Sequence, residues 1–320
     1  MATISSLAFP RTATGPEQAR ADARAVVRDG FTAAGYEPKD QSVVLGRTGI
    51  DSPNIYADLP GTECADKVIV IGGHYDSIHP TGPAADDNAS GAAGTIELAR
   101  VLRDHPLPVT VRFASWSYEE VGLVGSATMA RDMADRGVDV RGAISLEMIG
   151  FTKPDIDPLT GLPGDYLAMV ADPTSAPLAR AFGAAAYTYT PEFPAFGAII
   201  DPEVLPDILR SDHAAFLRAG FSALMATDTA NFRNPNYHQA TDTVDSLDPA
   251  YVRSSIRAAL AGLVTYASID EDQDGHADLC SARTPPPTTS TSTTTTPSST
   301  TSTPPATGAE PVATDPTYTG

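Results

Sequence analysis

The run Val68-Ile-Val-Ile71, followed at once by Gly72-Gly73-His74, constrains this chain more than any other segment. Four consecutive β-branched residues favour a strand, and successive strand side chains point to opposite faces. Both faces of this strand are therefore apolar, which places it in the middle of a sheet covered on both sides. The two glycines then let the backbone turn beside a ligand, where the apolar run gives way to a polar cluster.

The flanking sequence supplies the covering layers. Residues 16–36 carry Ala23, Val26, Val27 and Phe31 at helical spacing, with Gly35 as the stop. Asn54 to Leu59 reads as a strand separated from the central one by the Pro60-Gly61 turn. Further strands are expected at Val109–Ser115, Gly142–Leu146, Tyr166–Val170 and Ser222–Ala226. Helices are expected at Gly91–His105, Leu123–Arg136, Ser175–Ala185, His213–Arg218 and Pro249–Tyr266. In the helix after Gly91, Ala92, Ile96, Ala99 and Leu102 form a thin face suited to close packing on a sheet. This alternation specifies an α/β three-layer sandwich, with a mixed, largely parallel sheet and helices on both faces. Phe193, Phe196 and Phe232 fall in expected loops and could line a pocket or cover a core edge.

The 320 residues are 42% hydrophobic, enough for one large domain and a tail. The expected divisions are one α/β domain over 1–268, an acidic linker over 269–283 and a Pro/Thr/Ser-rich disordered tail over 284–320. A net charge of −19 excludes nucleic-acid and anionic-membrane partners. No apolar run reaches the ~18 residues of a membrane helix, so no membrane insertion is expected. Residues 1–10 do not read as a signal peptide. The stalk-like tail nevertheless favours an extracellular or cell-surface protein whose export signal lies upstream. Cys64 and Cys280 could pair in an oxidising compartment or remain free thiols. A monomer is expected.

Polar donors gather at the strand ends, where α/β sheets bind ligands. His74 follows the central strand, Glu119 and Glu120 follow Val109–Ser115, and Glu147 ends Gly142–Leu146. Asp87 lies in Asp86-Asp-Asn-Ala-Ser-Gly91, and His238 lies in Asn234-Pro-Asn-Tyr-His238. Two imidazoles, several carboxylates and one carboxylate free to bridge suit two Zn²⁺ and amide hydrolysis. Asp76, two residues after His74, is placed to orient its ring. Adjacent side chains should diverge, so Glu120 is read as ligand and Glu119 as general base facing water. Tyr237 could donate to an oxyanion. In Arg210-Ser-Asp-His213, Arg210 could meet a substrate carbonyl, and Asp212 or His213 could support the site. Each segment also has a structural reading: a helix cap for 86–91 and for 210–213, a solvated acidic turn for 117–122. Glu147 could instead pair with Arg112 or Arg141.

Six runs in order resemble the bacterial leucyl aminopeptidase-like enzymes, family twenty-eight of the metallopeptidases. They are Gly-Gly-His-Tyr-Asp-Ser (72–77), Asp-Asp-Asn-Ala-Ser-Gly (86–91), Glu-Glu-Val-Gly-Leu-Val-Gly-Ser (119–126), Ser-Leu-Glu-Met-Ile-Gly (145–150), Arg-Ser-Asp-His (210–213) and Asn-Tyr-His (236–238). The resemblance spans roughly residues 10–265. It implies that Asp87 bridges two Zn²⁺, with Glu120 beside His238 and Glu147 beside His74. It also implies Glu119 as base, Tyr237 as oxyanion donor and peptides with a free N-terminus as substrates. Glu147 departs from the family, where Asp is usual. That departure leaves room for a carboxypeptidase, another amide hydrolase or a cyclotransferase on the same fold; the stalk leaves room for a surface-displayed binding protein. Separately, Asp270, Asp272, Asp274 and Asp278 follow the Asp-x-Asp-x-Asp-Gly-x-x-Asp pattern of Ca²⁺ loops, and resemble a thrombospondin type 3 repeat more than an EF-hand, since Ser281 stands at the twelfth position.

Overall fold

The structure, a computed structural model, describes residues 1–156 and 161–281. The Ser/Thr/Pro-rich tail expected from residue 284 lies outside the described residues. Seven helices among the described residues are α1 (Ala2–Leu7), α2 (Glu17–Ala33), α3 (Gly91–Leu102), α4 (Val124–Asp135), α5 (Ala176–Tyr189), α6 (His213–Arg218) and α7 (Pro249–Ala267). The strands are β1 (Lys39–Gln41), β2 (Val44–Leu45), β3 (Ile50–Asp51), β4 (Asn54–Leu59), β5 (Cys64–His74), β6 (Val109–Trp116), β7 (Asp139–Glu147), β8 (Leu167–Ala171), β9 (Ala195–Ile199) and β10 (Ala223–Thr227).

Eight strands form one sheet in the order β1-β4-β6-β5-β7-β10-β8-β9. The central strands β6, β5, β7 and β10 are mutually parallel, while β4 and β8 run antiparallel to their inner neighbours. The expected three-layer sandwich with a mixed sheet is the observed architecture. Strand β5 occupies the centre, and its apolar run divides between the two faces. Ile69 and Ile71 pack with residues of α2, α3, α5 and α7. Val68 and Val70 pack on the other face with Met129, Ala130 and Met133 of α4 and Phe216 of α6. Ala92, Ile96, Ala99 and Leu102 are all buried, as their spacing required. No helix among the described residues is long and apolar enough to cross a membrane.

The start of α3 sits against the ends of β5 and β7 with no room for side chains. A Cβ on Gly91 would lie 2.1 Å from the Leu146 carbonyl oxygen, and one on Gly73 would lie 2.8 Å from Gly91. This close approach brings the turn before α3 onto the carboxyl ends of the sheet.

Some elements differ from expectation. Phe196 lies on β9, not in a loop, and packs against Tyr166 at 5.0 Å between ring centroids. Phe193 packs edge-on against Tyr251 at 5.4 Å. These two rings cover the core edge formed by β8, β9 and α7. Phe232 ends a short turn at Ala230–Phe232. Helix α1 and the short strands β1 to β3 were not legible, being too brief for a periodic signal.

Cys64 and Cys280 form a disulfide across 216 positions of sequence. The bond fastens the acidic segment after α7 to the start of β5, supported by His276 Nδ1 and Glu63 Oε1 at 3.0 Å and by Arg141 donating to the Ser281 carbonyl at 2.8 Å. Cys64 begins β5 and His74 ends it, so the staple and the polar cluster are at opposite ends of one strand. Denatured, unreduced protein should show no reactive thiol, and two after reduction. Replacing both cysteines by alanine should cost about 2–5 kcal/mol of stability. Two thiols without reductant would contradict the pairing.

Candidate metal centre

The parallel register aligns three strand ends: Gly73 pairs with Ser115 and His74 with Trp116 on β6, and Gly72 pairs with Ser145 on β7. His74 and Glu147 therefore end adjacent strands, and the Glu119–Glu120 turn begins beside them. Asp87 comes from an irregular turn over 85–90, and His238 from the loop after β10.

These side chains converge on Asp87. His74 Nε2 is 3.4 Å from Asp87 Oδ1 and 3.5 Å from Glu147 Oε2. His238 Nε2 is 3.2 Å from Asp87 Oδ2 and 3.2 Å from Glu120 Oε2. Two groups result, His74–Asp87–Glu147 and His238–Asp87–Glu120, each with its donor atoms within 4.8 Å of one another. Asp87 offers one oxygen to each group.

Glu119 and Glu120 face different imidazoles, Glu119 Oε2 lying 3.8 Å from His74 Nε2 and Glu120 Oε2 3.2 Å from His238 Nε2, yet they stay close together. Both offer an oxygen within 4.8 Å of a His74 ring nitrogen and of each other. The cause is local. Tyr118 takes a left-handed conformation (φ 58°), and the Glu119 carbonyl accepts the N–H groups of Gly122 and Leu123, which curls the segment into a tight turn. Asp76 fixes this turn by accepting the N–H of Glu119 at 3.1 Å and of Glu120 at 3.3 Å. Its Oδ1 also lies 3.4 Å from His74 Nδ1, so one carboxylate faces both the ring and the acidic pair.

The bridging turn is held from three sides. Asp242 accepts the N–H of Asp86 at 2.9 Å and of Asp87 at 3.0 Å, tying the turn to the loop that carries His238. Asp86 accepts from Gly150 N (2.9 Å) and Asn234 Nδ2 (2.8 Å). Asn88 donates to the Leu146 carbonyl (2.8 Å) and accepts from Met148 N (3.2 Å), on either side of Glu147. Asn88 Oδ1 also accepts the N–H of Gly91, the first residue of α3, at 2.9 Å, so this segment caps the helix and binds neighbouring loops as well.

Glu147 meets neither arginine considered from sequence: Arg112 pairs with Asp58 at 2.7 Å and Arg141 with Asp139 at 2.7 Å. Its Oε2 instead accepts from Ser211 at 2.8 Å, and Ser211 in turn meets Ser145 at 3.0 Å. Arg210 donates to the Tyr237 hydroxyl oxygen at 2.9 Å and to Asp207 at 2.9 Å. Tyr237 stacks on His238 with centroids 3.7 Å apart, and its own O–H remains a donor. Burial and the charge of Asp87 raise the Tyr237 pKa, so it stays protonated. Asp212 is fully buried and its charge acts on Glu119. Burial pushes His213 down to about 4, so it is a neutral packing residue of α6. Far from this cluster, Asp270, Asp272 and Asp278 bring oxygens within 4.8 Å of one another. Asp274 stands outside that group, and its Oδ1 accepts the His276 N–H at 2.8 Å.

The electrostatics call for cations. Burial pushes Glu119 well above the usual carboxylate range; His74 opposes that, while Glu120, Glu147 and Asp212 add to it. Burial and Asp87 push Glu120 up to about 8. Burial also raises Asp87, but the two imidazoles beside it, His238 and His74, outweigh it and hold Asp87 below the usual range. In His238 burial is likewise outweighed, by Asp87 and Glu120, giving a pKa of about 9. Asp87 Oδ2 and Glu120 Oε1 are buried and accept no hydrogen bond among the described residues. Mixed nitrogen and carboxylate donors with lone pairs left over fit Zn²⁺. Divalent cations would reverse this pattern, binding neutral imidazoles and ionised carboxylates.

Known proteins resemble this chain in sequence and in fold. Residues 54–263 match the model of peptidase family M28. The chain is 29% identical to the uncharacterized protein YfbL of Escherichia coli, over 77% of this chain and 80% of that protein. It is 30% identical to leucine aminopeptidase 1 of Arthroderma otae, over 69% of this chain and 60% of that one. Among solved structures, LapA aminopeptidase of Legionella pneumophila superposes with a TM-score of 0.66 at 21% identity, covering 82% of this chain and 70% of that one. An aminopeptidase from Aneurinibacillus sp. strain AM-1 gives 0.54 at 26% identity, over 68% and 48%. With its family match covering well over half of its length, the chain belongs to peptidase family M28.

Proposed function

We propose that this chain is a zinc aminopeptidase that holds two Zn²⁺ ions and cleaves single residues from the free N-terminus of peptides. The observation that carries this reading is Asp87, with one carboxylate oxygen toward each histidine–glutamate pair. Membership of the M28 family and the leucine aminopeptidase relatives support the substrate class. His74 and Glu147 would hold one ion, His238 and Glu120 the other, with Asp87 between them. Bound zinc supplies Lewis acidity, which acidifies water and polarises a carbonyl.

The chain's own groups do the rest. Glu119 takes the proton of the attacking water and passes it to the leaving amine. Tyr237 donates its O–H toward the developing oxyanion, while Arg210, bonded to the Tyr237 oxygen, fixes the direction of that donor. The surrounding carboxylates favour a substrate bearing a positive α-amine. The disulfide supports placement in an oxidising, extracellular setting.

Glu119→Gln keeps the side chain's size and removes the base. Turnover of aminoacyl-p-nitroanilides should fall on the order of 10²–10⁴-fold, with the zinc content unchanged. Undiminished activity in this variant would sink the assignment of the base. Glu147, one methylene longer than the residue usual in the family, favours including N-blocked peptides in the same panel. Cleavage of those alone would favour a carboxypeptidase instead.

Zinc binding should also release protons. In the metal-free protein His238 (about 9) and Glu120 (about 8) have pKa values above neutral pH, so both are mostly protonated at pH 7. Ligation needs the deprotonated forms. Apparent zinc affinity should therefore rise with pH, and the calorimetric enthalpy at pH 7 should vary with the ionisation enthalpy of the buffer. An enthalpy independent of the buffer would contradict the proposed ligand set.

A further inference from the structure

Residues 1–53 lie outside the segment that matches the family, yet they send one side chain beneath the metal centre. Arg11 is 1% exposed. Its guanidinium donates Nε to the Tyr75 carbonyl at 2.6 Å, Nη1 to the Phe9 and Pro83 carbonyls at 3.0 and 2.9 Å, and Nη2 to the Ala84 carbonyl at 2.9 Å. Its backbone N–H donates to Ser77 Oγ at 3.0 Å, and Thr12 bridges to Ser77.

The positions of these acceptors give the arrangement its meaning. Tyr75 directly follows His74, and Ala84 precedes the turn that carries Asp87. The planar fork of Arg11 thus ties the segment leaving one donor to the segment entering the other. Lysine could supply the charge but not this geometry, because an ammonium has no fixed fork. Among the described residues no carboxylate forms a salt bridge with Arg11. Burial lowers its pKa to about 10, opposed by Asp76, Asp87, Asp242 and Glu120, so it remains charged at neutral pH.

We propose that Arg11 is a positioning residue of the metal centre, holding His74 and Asp87 at ligating separation through the backbone of Tyr75, Pro83 and Ala84. The proposal rests on the two-cation reading above. It makes the N-terminal segment part of the functional centre. Charge alone predicts the opposite sign, since a buried cation repels Zn²⁺ and its loss would tighten binding. Arg11→Lys separates the two effects by keeping the charge and breaking the fork.

The test is zinc affinity of full-length wild-type and Arg11→Lys protein, measured by competition with a chelator. Wild type should bind two equivalents. Arg11→Lys should bind at least one of them about tenfold or more weakly, the loss typical when a group that orients metal ligands is removed. Its kcat should fall with KM nearly unchanged. Affinities within twofold of each other would overturn the proposal, whatever happens to the melting temperature. A wild type that binds no zinc would instead remove the two-cation reading, and this proposal with it. If Arg11→Lys does not fold, hydrogen exchange on the wild type decides. Zinc should slow exchange in residues 9–13 together with 75–87; slowing in 75–87 alone would overturn the proposal.

Discussion

Asp76, Asp87, Glu119 and Glu147 are buried within a few ångströms of the His74 imidazole, and their mutual repulsion is what the rest of the structure must answer. Two unit charges 4 Å apart interact by about 4 kcal/mol at an effective dielectric of 20. A whole domain is stable by only about 5–15 kcal/mol. A few uncompensated pairs of this kind would consume that margin. The cluster therefore persists only with protons or cations among the carboxylates. Protonated imidazoles answer the need in part, and two Zn²⁺ ions answer it more fully while leaving the imidazoles neutral.

The sheet contributes placement more than energy at this site. Parallel pairing of β5, β6 and β7 brings three polar turns to one edge, and the glycine contact between β5 and α3 lowers the Asp87 turn onto it. What fixes the side chains is a set of carboxylate-to-backbone bonds. Asp76 grips the Glu119–Glu120 turn, and Asp242 grips the Asp86–Asp87 turn. Each adds negative charge to an already acidic region. That is tolerable because each satisfies two buried N–H groups, which would otherwise be left without partners in a site water enters poorly. Arg11 does the same work with the opposite charge, from the N-terminal segment.

Much of this was legible in the sequence. Strand β5, the thin face of α3 and the long α7 followed from periodicity and composition, because burial on two faces or one leaves a direct trace. The donors His74, Asp87, Glu120, Glu147 and His238 stood out by residue type, at strand ends or in short polar loops. Their supports did not. Ser211 is 64 positions from Glu147, Asp242 is 155 from Asp87, and Arg11 is 64 from Tyr75. No local spacing signals contacts so distant. Ser211 lay inside a motif segment with no role of its own and Asp242 just beyond the His238 run, while Arg11 follows a proline in a stretch with no clear pattern. The closeness of Glu119 and Glu120 was hidden for a related reason. A left-handed Tyr118 reverses the turn, and nothing in Ser-Tyr-Glu-Glu announces it.

The central claim is that Asp87 lies between two cations. Anomalous diffraction at the zinc absorption edge, from crystals of zinc-loaded protein, tests it most directly. The account predicts two peaks flanking the Asp87 carboxylate, one beside His74 and Glu147 and the other beside His238 and Glu120. A single peak, or zinc bound away from Asp87, would contradict it.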